Sequence, residues 1–274
     1  METKIVLPLP VFEEKISMSK IANAFKTGKA FIAFITCGDP DLETTKQTIL
    51  EMVKNGVDLI ELGIPFSDPT AEGPVIQAAN VRALRNGITT DDIFEFVKDI
   101  KKEVSIPLVF MTYSNVVFSY GSKRFIENCQ KRGIDGLILP DCPYEEKEEF
   151  SDLCLQYDVD LISLIAPTSK DRIQMIAKEA KGFVYLVSSL GVTGTRSELR
   201  SDLNELVEVI RENTSIPCAI GFGISTPEQA KSMSQIADGI IVGSAIIKLL
   251  EKYGKDAPLY IGHFVKSMKE AMSK

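Results

Sequence analysis

One histidine, His263, is all the chain has. That scarcity excludes His-based hydrolytic triads and multi-histidine metal centres, and it leaves acid and base work to Asp, Glu, Tyr or Lys. His263 itself sits in a C-terminal helical pattern and reads as a surface or packing residue. The five cysteines (Cys37, Cys129, Cys142, Cys154, Cys218) are odd in number with no C-x-x-C pair, so they suit neither a disulfide framework nor a zinc site and read as reduced packing residues. No basic block offsets a net charge of -7, which excludes the phosphate-neutralising surface that a nucleic-acid partner requires. No apolar run approaches bilayer length, and the start METKIVLPLPVFEEK has no apolar signal core. A cytoplasmic protein with no membrane partner is the expectation.

What is present is an alternation. With 274 residues and 45% hydrophobic content the chain can bury a large core, and no break in composition divides it, so residues 1–274 are expected to form one domain with residues 1–14 a loose extension. Eight short β-rich runs, at 31–36, 57–64, 107–113, 136–140, 161–166, 183–188, 218–223 and 239–242, alternate with amphipathic stretches. Thr226 before Pro227, with Gln229 three residues after the cap, starts one helix; Gly56 and Gly133 stop two others. Strand and helix repeated eight times predict a parallel sheet closed into a (β/α)8 TIM barrel of about 250 residues, with an open doubly wound sheet the alternative. ISMSKIANAFKTG, before the first strand, predicts an extra N-terminal helix placed to plug the barrel's bottom. GVDLIELGIP, GIDGLILPD and ADGIIVGS echo one another, either as true repeats or as the shared grammar of buried parallel strands.

Within VDLIELGIP the period of two places Val57, Leu59, Glu61 and Gly63 on one face and Ile60, Leu62 and Ile64 on the other. The branched face suits packing against helices, which turns Glu61 into the lumen near the C-terminal end, where the catalytic groups of such barrels lie. A carboxylate among apolar side chains has a raised pKa, suited to giving and taking a proton near neutrality. A structural glutamate bonded to a neighbour is the other reading. The segment that follows is stiffened by Pro65, Pro69 and Pro74 and carries Glu72, either folded over the barrel mouth or simply solvated.

Gly221, Gly223 and Gly243 end the last two strands, and Ser244 opens a helix whose free N–H groups favour an anion. Neither segment has a Lys or Arg, so a phosphate there would be held by backbone donors. SSLGVTGTRSELR, with Thr193 and Gly194 at its centre, is long enough for a mobile lid or an ordinary loop.

Taken in order, ITCGDPD, ELGIPFSDPTAEGP, LPDCP, LVSSLGVTG, GFGIST and VGSAII resemble the α subunits of tryptophan synthase, from about Phe31 to the end of the chain. That resemblance implies a TIM-barrel lyase. It would cleave indole-3-glycerol phosphate by a retro-aldol reaction to indole and glyceraldehyde 3-phosphate, and pass indole to a β subunit in an α2β2 heterotetramer. It implies no cofactor in this chain, with pyridoxal phosphate in the partner β subunit. It matches Glu61 to the family's catalytic glutamate and Glu72 to its second catalytic acid, which in the family is aspartate. It further implies that Phe34 and Tyr185 wall the indole pocket, that Phe222, Gly223, Gly243 and Ser244 lie toward the phosphate, and that Thr193 and Gly194 close the lid against the Glu72 loop. A different reading of the Glu72 exchange is a non-catalytic, phosphate-binding subunit that activates its partner. The residues agree with the lyase: the lysines lie in helices and loops, with Lys170 the nearest to an exception, so no Schiff-base lysine stands on a strand end. Indole protonated at C3 is its own electron sink, so two acids suffice.

Overall fold

A computed structural model describes residues 19–187, 196–221 and 223–273, with the backbone alone at 196–201. Among them nine parallel strands form one sheet: β1 (Ala30–Thr36), β2 (Leu59–Gly63), β3 (Leu108–Met111), β4 (Gly136–Ile138), β5 (Asp160–Leu161), β6 (Ser163–Ile165), β7 (Val184–Val187), β8 (Cys218–Gly221) and β9 (Gly239–Val242). Their order is β5-β4-β3-β2-β1-β9-β8-β7-β6. β5 and β6 are halves of one extended segment interrupted at Ile162, the first half bonded to β4 and the second to β7. The ring therefore closes through that segment as a barrel, and the expected single strand at 161–166 is split because each half follows a different neighbour.

Helices α1 (Leu42–Lys54), α2 (Pro74–Arg85), α3 (Thr90–Ile100), α4 (Ser114–Tyr120), α5 (Ser122–Arg132), α6 (Glu148–Gln156), α7 (Lys170–Lys178), α8 (Arg196–Asn213), α9 (Pro227–Ser234), α10 (Ser244–Tyr253) and α11 (Ala257–Met272) follow the strands. The Thr226–Gln229 capping box forms as the sequence predicts, with Pro227 in the first turn. α2 and α4 are additions to the expected pattern. α2 buries Ala79, Asn80 and Ala83, a small and partly polar face that does not read as an apolar stripe.

Two cores result. Ile60, Leu62 and Ile64 of the second strand segment pack in the outer layer between sheet and helices, whereas Leu59 joins Ile32, Val109, Ile138, Phe183 and Ile241 in the lumen. Val57 belongs to the outer layer, because it precedes the strand and escapes its alternation. The N-terminal plug is a six-residue 3-10 helix, Lys20–Phe25, whose Ile21 is fully buried in the lumen core.

The sequence echoes have a shared structural cause. At the start of β2, β4 and β9, Asp58, Asp135 and Asp238 each grip one residue of the neighbouring strand twice. Their N–H groups donate to the carbonyls of Phe31, Leu108 and Cys218 at 3.0, 2.8 and 2.8 Å. Their Oδ2 atoms accept the N–H of those same residues at 2.6, 3.1 and 2.9 Å. Each aspartate also meets a cation, Lys269, Lys101 or Arg211. These clamps fix the register of the parallel strands at the N-terminal end, and register decides which residues face the lumen.

Candidate active site

β2 carries Glu61 into the lumen in register with Phe34 of β1 and Val109 of β3. The side chain is fully buried, and neither carboxylate oxygen has a hydrogen-bond partner among the described residues. Burial without compensation disfavours the charged form and pushes its pKa up to about 8. At pH 7 the acid form is then favoured roughly tenfold, so this group holds a proton it can give. Tyr185 of β7 faces the same space: burial, and then the Glu61 charge, raise its phenol well above the usual value. The aromatic rings are seated on glycines. A Cβ at Gly221 would lie 2.5 Å from the Tyr185 ring, and one at Gly63 would lie 2.7 Å from Phe34, so side chains there would drive both rings toward the lumen.

Glu72 lies on the β2–α2 loop and is half-buried. Burial raises its pKa, while a hydrogen bond from Asn80 pulls it back down. That bond runs from Asn80 Nδ2 to Glu72 Oε2 at 2.6 Å, and Gln77 Nε2 donates to the Glu72 carbonyl at 2.8 Å. Tyr113, just beyond β3, accepts the Ala71 N–H on its hydroxyl at 3.0 Å, and its ring packs on Phe66 with centroids 5.3 Å apart. Burial lifts the Tyr113 phenol to about 12, the Ala71 hydrogen bond opposes the rise, and the charges of Glu72 and Asp141 add to it. The loop carboxylate is thus tied down at the rim, and the solvated alternative for Glu72 does not describe it. Asp141 is occupied elsewhere, accepting the N–H and hydroxyl of Ser114 at the start of α4.

Across the barrel mouth, Gly223 and Gly243 follow the paired strands β8 and β9. Gly223 is exposed with a φ of +76°, a conformation that side chains disfavour. Gly243 caps α10, and Ser244 is that helix's first residue, so the first-turn N–H groups point out of the helix. Thr193, Gly194 and Phe222 lie outside the described residues. Sequence reading passed over Asn80 and Tyr113. Tyr113 could have been found as an aromatic hydroxyl at the C-terminal end of a strand, whereas Asn80 gave no signal beyond its position eight residues after Glu72. Among the described residues no group of three or more His, Cys, Asp or Glu side chains is arranged to hold a metal ion. A separate cavity of about 250 Å³ between α6 and α7, lined by Cys142, Lys147 and Arg172 among others, shares no residue with this site.

A buried acid on one strand, a second acid on the following loop and an anion-ready helix start on the opposite side are one arrangement at the C-terminal face of a barrel. The sequence profile of the family described as "Tryptophan synthase alpha chain" matches residues 21–272. The chain belongs to the tryptophan synthase alpha chain family. Its likeness to the tryptophan synthase alpha chain of Lacticaseibacillus casei is 49% identity over 255 residues, which is 93% of this chain and 96% of that one. The tryptophan synthase alpha subunit of Legionella pneumophila superposes with a TM-score of 0.85 at 35% identity, covering 94% of this chain and 99% of that one. A Pyrococcus furiosus structure, described as the mutual activation of the tryptophan synthase a2b2 complex, matches with a TM-score of 0.81 at 33% identity over 89% of this chain and 99% of its own. No helix among the described residues is long and apolar enough to cross a membrane.

Proposed function

We propose that this tryptophan synthase alpha chain cleaves indole-3-glycerol phosphate with Glu61 and Glu72 as its two acids. The observation that carries the assignment is the fully buried Glu61 carboxyl in the lumen, without a hydrogen-bond partner among the described residues, which favours the protonated state at neutral pH. Its proton goes to C3 of the indole ring, and the positive charge that results settles on the ring nitrogen. Glu72, ionised and facing that nitrogen, stabilises the developing charge. The Glu61 carboxylate then takes the proton of the hydroxyl on the adjoining carbon, a carbonyl forms there, and the electrons of the breaking carbon–carbon bond return to the ring. Indole and glyceraldehyde 3-phosphate leave, and Glu61 is again protonated. One group acts as acid and then as base, which is what a pKa near the operating pH allows.

Phe34 and Tyr185 wall the ring pocket, and backbone donors around Gly223, Gly243 and Ser244 hold the phosphate. The partner is a tryptophan synthase β subunit in an α2β2 assembly, docked where the proline-stiffened loop at 65–74 borders the barrel mouth. The pyridoxal phosphate that family resemblance assigns to the β subunit plays no part in these steps.

The test is indole release from indole-3-glycerol phosphate by the purified chain, alone and with saturating β subunit. Slow release alone and a large rise in kcat with the partner are expected, because docking orders the rim loops. An unchanged kcat would remove the coupling. No indole in either case would favour the non-catalytic, partner-activating subunit.

A further inference from the structure

Asn80 does something that its place in the fold does not require. Its neighbours on the buried face of α2 are Ala79 and Ala83, and a small apolar residue would complete that face. Instead a carboxamide is held at 3% exposure, where an unpaired polar group is unfavourable. The hydrogen bond it makes is to Glu72 Oε2, at 2.6 Å, a short contact to a charged acceptor. We propose that Asn80 is a positioning residue for the lyase reaction, its carboxamide locking the Glu72 carboxylate at the barrel rim so that the other oxygen, Oε1, faces the substrate. The inference rests on the role given to Glu72 above.

Three features support it. Glu72 is a long side chain with several free torsions, and an anchor on its carboxylate offsets the freedom they bring. The anchor is itself rigid: Arg82, two residues further along α2, makes paired hydrogen bonds from Nε and Nη2 to the buried Asp39 at 2.7 and 2.8 Å, tying the helix to the loop after β1. The Gln77 contact to the Glu72 carbonyl fixes the backbone of the same residue from the same helix. Helix α2 thus grips Glu72 at both main chain and side chain, and its own position is set by β1.

Steady-state indole release tests the proposal with Asn80→Leu, Glu72→Ala and the double variant, each followed as kcat, KM and pH profile. Asn80→Leu should lower kcat about ten- to a hundredfold, the range of one hydrogen bond to a charged group, with KM within about threefold of the parent. The acid limb of kcat should move to higher pH, since the lost bond favoured the ionised carboxylate. In the Glu72→Ala background the same substitution should change kcat by less than about twofold. If Glu72→Ala slows the enzyme while Asn80→Leu does not, or if Asn80→Leu has the same effect in both backgrounds, the positioning role is overturned and Glu72 keeps its own. If Glu72→Ala turns over like the parent, the role of Glu72 fails and this inference with it. Should Asn80→Leu not fold, Asn80→Ala matches the neighbouring alanines, removes the donor and adds no charge, and the same outcomes apply.

Discussion

Replacing Glu61 with glutamine should stabilise the protein while disabling it, and by an amount that depends on pH. In the folded chain the carboxyl has a pKa of about 8, against 4.5 when free in solution. Between those values the native state holds a proton that the unfolded chain has released. Unfolding therefore becomes easier as pH rises through the window, and the loss is complete above it. At about 1.4 kcal/mol per pH unit, the full window is worth on the order of 5 kcal/mol. Glutamine does not titrate, so the variant escapes this loss, although its buried amide remains without partners. The assay is chemical denaturation of parent and Glu61→Gln at intervals from pH 4.5 to 9. The variant's advantage should be near zero or negative at the acid end and grow steadily to about pH 8. It should then level off, with a rise in Tm on the order of 10 °C at pH 8. A difference that is flat across the range would show that Glu61 ionises freely in the folded state, and the acid role given to it would lose its physical basis.

Three further outcomes follow from the geometry. Glu72→Ala should lower kcat by orders of magnitude with a smaller effect on binding, while Glu72→Asp stays within about tenfold of the parent, roughly 1.4 kcal/mol; parent-like turnover in the alanine variant would return Glu72 to the role of a surface residue. Gly223→Val should raise KM for the phosphorylated substrate about tenfold, because the +76° backbone resists a branched side chain and the donors beside it shift; an unchanged KM would place the phosphate elsewhere. Asp58→Ala removes the acceptor of the Phe31 N–H and the partner of Lys269, and should cost about 2 to 3 kcal/mol of stability in urea denaturation. A cost below about 0.5 kcal/mol would mean that the aspartate clamps do not hold the register.

How far the sequence reaches is clear from individual residues. The alternation in VDLIELGIP was enough to turn Glu61 inward, because a strand buried on both sides leaves its period of two as the only freedom. The capping box at Thr226 and Gln229 is equally local and equally legible. Helix α2 was not, since its core face is built from Ala79, Asn80 and Ala83 and depends on close approach rather than on a wide apolar stripe. Helix α4 reads SNVVFSY, seven residues in which β-branched and aromatic side chains mask the helical period. The split between β5 and β6 is a property of two neighbours, not of the segment itself. The hold of Asn80 on Glu72 crosses a loop and enters a helix, and only the turn at Gly73 and Pro74 brings the two together. The echoes around Asp58, Asp135 and Asp238 were visible as words, but their meaning, a clamp on the adjacent strand, needed the barrel.

The central claim is that a buried, protonated Glu61 moves the proton on which carbon–carbon cleavage depends. Indole release by Glu61→Gln, measured with saturating β subunit and alongside substrate binding to the same preparation, addresses it most directly. The expected result is intact binding with nearly all turnover lost, and in the parent a kcat that declines above about pH 8 as the proton is lost. Turnover in the glutamine variant comparable to the parent would contradict the account.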